Sequence, residues 1–214
     1  MDLFNLPFNT IIRRFVAKSH FDSFTNSKQK AMFTNDISKI IWSNTLSTQT
    51  INLPHKDIEE IQIFNIELKA KKEIKNILEI IDRAIPYHII FVVTYEEMAY
   101  LSASSKHASP INDNKSVIDW VYCSPWFIKS ENKYHLKLKK DIDTIFFDFC
   151  SQLSQKKNPY IKDIGDLSDY NSKIFTLTKE IEQLKKKIQS CAQFNKKVEM
   201  NINLKELEQQ LKQL

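Results

Sequence analysis

A single glycine, Gly165, stands in a chain of 214 residues. Glycine takes positive φ without steric cost and lets a backbone come close to a phosphate. Neither a GxGxxG turn nor a GxxxxGK[ST] phosphate loop can be built from one glycine. Nucleotide binding by the common glycine-rich routes is therefore excluded. The chain is otherwise well supplied for folding: hydrophobic residues make up 42% of it and include 14 Phe. That is enough for a packed core, and the length suits one domain plus an appendage.

The formal net charge is +5, with acids and bases interspersed. Such a balance permits contact with nucleic acid without requiring it. Cys123, Cys150 and Cys191 form no CxxC and share no zinc-ligand spacing with the histidines, so they read as reduced thiols of a cytoplasmic protein. No metal site is expected from them. The opening MDLFNLPFNTIIRRF carries an early acid and no continuous apolar run, unlike a secretory signal. No stretch of about 18 apolar residues is present to span a membrane.

Periodicity divides the chain. A helix is expected over 28–44, capped by Ser27, because Ala31, Met32, Ile37, Ile40 and Ile41 follow helical spacing. A short strand is expected from Thr48 to Leu53. Ile58–Leu68 alternates as a half-buried strand, with a register change near Ile63–Phe64. Lys71–Ile85 carries an amphipathic stripe of Ile74, Ile77, Leu78, Ile81 and Ile85, stopped by Pro86. The run YHIIFVV, residues 87–93, reads as a central strand, with Met98–Ala103 as its hairpin partner. Residues 104–115 read as a polar loop, Val117–Cys123 and Tyr134–Leu138 as strands, Asp141–Leu153 as a helix and 154–170 as a linker. The expected class is α/β (α+β), a mixed central sheet flanked by helices over 1–166, followed by a coiled-coil-like helical tail over 167–214.

In that tail Ile174, Leu177, Ile181, Leu184 and Ile188 step by three and four, and Leu204, Leu207, Leu211 and Leu214 form a second seam. The seams are out of phase across Cys191–Asn203, so the helix either stutters or turns back. With no Gly or Pro to force a turn, a mainly continuous helix of about 60 Å is expected. The seam must be covered by a second copy, a protein partner or its own return.

Several long stretches mark a resemblance. NLPFNTIIRRFVAKSHF, IIWSNTLSTQTINLP, EIQIFNIELK, IDRAIPYHIIFVV, the SPW at Ser124–Trp126, DIDTIFFDF and FNKKVEMNINLKELEQQL together resemble the bacterial domain-of-unknown-function family 4391. The present chain is richer in lysine and asparagine than a typical member. The resemblance implies an accessory protein of restriction or antiviral-defence loci, with a helicase or methyltransferase as partner.

Two constellations compete with that reading. The order helix, strand pair, E-x-K at a strand end, helix and strand is similar to the PD-(D/E)xK nuclease core, though one strand short of its three-strand meander. In that core two carboxylates hold Mg²⁺ and a lysine polarises the attacking water. Asp57, Glu67 and Lys69 are the candidates here. The bland alternative is a solvated strand face, with Asp57 only a turn residue. Arg13, Arg14 and Lys18, interleaved with Phe15 and Phe21, are the candidate nucleic-acid contacts, against an ordinary charged surface. The histidines are scattered, and His88 within an apolar strand reads as a core imidazole. The first expectation is a non-enzymatic interaction subunit, with no cofactor, assembling through its C-terminal helix. The alternatives are a Mg²⁺-dependent nuclease and a nucleic-acid-binding module without catalysis.

Overall fold

The computed structural model describes residues 3–108, 116–154 and 158–214. The chain divides into two compact units, Met1–Gln155 and Lys156–Leu214. In the first, strands β1 (Ile11–Phe15), β2 (Ile37–Ser47), β3 (Glu60–Leu68), β4 (His88–Tyr95), β5 (Met98–Ala108) and β6 (Ser116–Cys123) lie side by side in sequence order. Only β3 and β4 are parallel, and α3 (Lys75–Ala84) makes the crossover between them. The two-residue β7 (Phe127–Ile128) adds to the free edge of β5 near Met98. Helix α1 (Ser27–Asp36) leads into β2, and α4 (Ile142–Leu153) follows the sheet.

The mixed sheet agrees with the sequence reading, and the helix expected over Lys71–Ile85 is present as the shorter α3, Lys75–Ala84; β4 is central as its continuous apolar run requires. One face of the sheet, formed by Phe64, Ile66, Leu68, Ile89, Phe91 and Val93, packs against Phe33 of α1 and Ile77, Leu78 and Ile81 of α3. The other face is covered at one end only. There the Phe146 ring of α4 meets His88 edge-on at 4.8 Å, and Phe149 meets Phe4 at 5.7 Å.

The expected helix over 28–44 is corrected. Asn26, not Ser27, caps α1, exchanging reciprocal bonds with Gln29 at 2.9 Å. The helix ends at Asp36, and Ile37–Ser47 is strand. A β-bulge explains the false helical signal. Ile37 pairs with Leu68 and Lys39 with Glu67, but Ile40 pairs with Ile66. The extra residue puts Ile37 and Ile40, three apart, on the same buried face. A second irregularity, between Trp42 and Asn44, lies opposite Phe64 and Ile63. β3 runs in unbroken register along β4, while its register with β2 shifts between Phe64 and Ile63, where the sequence places a change. Its alternation switches because its two faces are covered at different ends.

Three further expectations are overturned. Residues 48–51 form a single helical turn, α2 (Thr48–Ile51), because the Ser47 amide donates to Thr50 Oγ1 and Asn52 closes it at φ 53°. Residues 134–138 pair with no strand; Tyr134 and Leu136 are buried, but the Gln152 amide of α4 bonds the His135 backbone at 2.8 and 2.9 Å. Residues 104–108 continue β5, while 109–115 of the expected loop lie outside the described residues.

Lys106 and Asp82 tie β5 to α3. The Lys106 ammonium donates to Asp82 Oδ1 at 2.8 Å and to the Asp82 and Ile85 carbonyls, and Ser104 donates to the same carboxylate. Burial pushes the Asp82 carboxyl up against the downward pull of the Lys106 charge.

In the second unit α5 (Ile164–Ser190) begins inside the expected linker, of which residues 155–157 lie outside the described residues. The continuous tail helix is also corrected. The chain becomes extended at Cys191 and Gln193 and returns as α6 (Phe194–Gln213), packed on α5. Tyr170 donates to the Leu214 carbonyl at 2.7 Å, and Lys185 pairs with Glu208 at 2.8 Å. Turning back lets two out-of-phase stripes cover each other, which one straight helix cannot do.

Candidate functional site

β2 and β3 are antiparallel, so the start of one lies beside the end of the other. Ile37 faces Leu68, and the Lys69 amide donates to the Asp36 carbonyl at 2.9 Å. This brings Asp36, the last residue of α1, next to Lys69, with Glu67 two residues back on the strand. The side chains there are mostly charged. Asp36 Oδ1 receives Lys72 Nζ at 2.6 Å, and Glu67 Oε2 receives Lys39 Nζ at 2.8 Å. Lys69 Nζ donates to the Thr34 carbonyl at 2.8 Å and Lys18 Nζ to the Ile37 carbonyl at 2.6 Å. Burial, and then the charge of Lys69, lowers the Lys18 pKa. Lys72 and Lys39 thus each hold one carboxylate, while Lys18 and Lys69 bond backbone carbonyls, and four lysines against two acids leave this end of the sheet net positive.

The sequence candidates are redistributed by this geometry. Glu67 and Lys69 stay together, but Asp57 does not join them. Asp57 precedes the opposite end of β3, exposed, with its amide bonded to Asp143 Oδ1 at 3.0 Å. At about 3.3 Å per residue the strand alone puts about 23 Å between Glu60 and Glu67. The acid whose backbone lies beside Lys69 is instead Asp36. Its sequence signal was an acid directly before a strand, hidden while 37–44 read as helix.

Arg13, Arg14 and Lys18 form no single patch. The Arg14 guanidinium lies over the Trp42 ring at 5.8 Å, whereas Arg13 lines a groove on the other side of the sheet. Only Lys18 joins the lysines around Asp36. In the tail, Leu177 and Ile181 are buried, and Ile174, Leu184, Ile188, Leu204, Leu207 and Leu211 are half-buried. These seam residues lie on the two helices of a packed hairpin. Instead α6 exposes Phe194, Val198 and Ile202, spaced four apart.

Among the described residues no group of three or more His, Cys, Asp or Glu is placed to hold a metal. A pair of carboxylates still suits Mg²⁺, which is commonly held by one or two carboxylates plus water and substrate phosphate. The lysines on Asp36 and Glu67 are about half exposed and can swing away on their flexible stems. Cys150 is fully buried and Cys123 half-buried, and burial raises both thiols, which disfavours the reactive thiolate at each. No described helix is long and apolar enough to cross a membrane.

No curated protein and no solved structure matches the chain. The family model of DUF4391, a domain of unknown function, matches residues 4–211, and the chain belongs to that family.

Proposed function

We propose that the protein is a Mg²⁺-dependent nuclease of the PD-(D/E)xK kind, with Asp36 and Glu67 as its carboxylates and Lys69 as its cation. The observation that carries this reading is the pairing of β2 with β3, which sets Asp36 beside Lys69 with Glu67 on the same strand. Strands β1, β2 and β3 lie antiparallel in order, with α1 between β1 and β2 and α2 between β2 and β3, and α3 leads to β4 parallel to β3, an arrangement that supports the reading without reproducing an uninterrupted meander. Mg²⁺, when bound, neutralises phosphate charge and lowers the pKa of a water. Asp36 and Glu67 would hold the ion, and Lys39 and Lys72, which pair with them here, would then be free to meet the phosphate backbone. Lys69 would leave the Thr34 carbonyl and orient the water through its ammonium. Lys18 adds positive charge where the backbone enters.

The test is cleavage of plasmid and labelled single-stranded DNA with Mg²⁺ or with EDTA. Asp36→Asn and Glu67→Gln are each expected to lower the rate by roughly 10²–10³-fold, whereas Asp57→Asn leaves it unchanged. Retained cleavage in Asp36→Asn, or equal loss in Asp57→Asn, would refute this assignment.

A second reading has its own observation. The exposed Phe194, Val198 and Ile202 of α6 suit an accessory subunit of a restriction or antiviral-defence assembly that docks a helicase or methyltransferase. The two readings are compatible, since they use different units of the chain.

A further inference from the structure

The half of the sheet face that α4 leaves bare holds a groove of about 340 Å³, lined in part by Phe4, Arg13, Phe15, Ile41, Ser43 and Asn65. Its floor comes from neighbouring strands, since Ile41 pairs with Asn65 and Asn65 with Val92. Two residues further along the same strands lie Lys39 and Glu67. The groove therefore opens about 7 Å from Lys39 and Glu67, on the same face.

Its chemistry is specific. The side chain of Asn65 is half-buried in the floor, and neither it nor the Arg13 guanidinium has a partner among the described residues. An amide offers a donor and an acceptor together, which suits the edge of a nucleobase. Phe15 is 63% exposed at the rim, where a ring gains by stacking. Arg13 sits at φ 52° at an irregularity of β1. Ile11 and Phe15 lie on the groove face while Arg14 lies over Trp42 on the other, and the left-handed residue is the one that adds a guanidinium to the groove.

We propose that this groove holds one unpaired nucleotide of a single-stranded nucleic acid. The base stacks on Phe15 with its edge on Asn65, Arg13 takes a phosphate, and the adjoining backbone runs to the lysines around Asp36 and Glu67. The assignment rests on the phosphodiester reading of that lysine-rich end and names its substrate as an unpaired strand. A duplex, whose bases are stacked and paired, cannot fill the groove without losing that pairing.

The full chain is titrated, in EDTA so that nothing is cleaved, against a fluorescein-labelled oligothymidylate of about twelve nucleotides and a blunt duplex of the same length. The single strand is expected to bind more tightly. Phe15→Ala should weaken that binding roughly tenfold, with Asn65→Leu acting in the same direction and duplex binding unchanged in both. Phe15 is exposed, so an unaltered melting curve is expected and is checked first. Equal binding of the two forms, or a single-strand affinity unchanged in Phe15→Ala, overturns the groove. No binding of either form overturns the groove and the lysine-rich end together. If Phe15→Ala shows its loss but the wild-type chain cleaves nothing with Mg²⁺, the catalytic reading falls and the groove stands.

Discussion

His88 opens β4 with its ring against Phe146, and burial, helped by the charge of Lys106, lowers its pKa to about 4 from an ordinary 6.5. The unfolded chain takes up a proton between those values and the folded chain does not. The His88 contribution is thus present above about pH 6.5 and is lost as pH falls through about 4, amounting at its limit to about 3 kcal/mol. Melting curves at pH 7.5 and 4.5 should show a smaller acid-side loss in His88→Phe than in the wild type. Equal losses would place the titration elsewhere. Reading His88 as a core imidazole needed only its apolar neighbours. Its pairing with a helix more than fifty residues away did not follow from them.

Among elements, β2 shows why a chain can carry a pattern and still mislead. Its bulges move the alternation by one residue and create helical spacing at Ile37 and Ile40. Only pairing with β3 reveals the strand, and with it Asp36. The tail errs in the opposite direction, since each seam was legible but their mutual packing was not. Burial of Leu177 and of Leu184 is worth roughly 1.5–3 kcal/mol each at full depth. Leu177→Lys combined with Leu184→Glu should therefore unfold the α5–α6 hairpin, seen as lost helical circular dichroism, and leave the first unit's melting transition in place. Unchanged helicity would show that the seams do not hold the hairpin.

For the whole molecule, the two units divide the proposed tasks. The sheet carries the carboxylates and the groove, and α6 carries an outer apolar stripe. Phe194→Ser with Ile202→Ser should reduce recovery of a helicase or methyltransferase with the protein from its host by at least about tenfold, without moving the melting temperature. Recovery equal to wild type would leave that stripe without a partner role. These side chains are exposed, so the loss of contact is separable from loss of fold.

By itself the sequence determined the class of fold, an amphipathic helix within Lys71–Ile85, the central strand at YHIIFVV, the heptad seams and the exclusion of glycine-rich phosphate loops. Each of these follows from local periodicity or from a residue type that is absent. Tertiary structure alone decided that Asp36 comes beside Lys69 while Asp57 stands before the far end of β3, that Arg13 and Arg14 part to opposite faces, and that the seams close on each other. All three depend on strand register or helix return, in which residues far apart in sequence meet, and a single bulge reverses which side of the sheet a side chain faces.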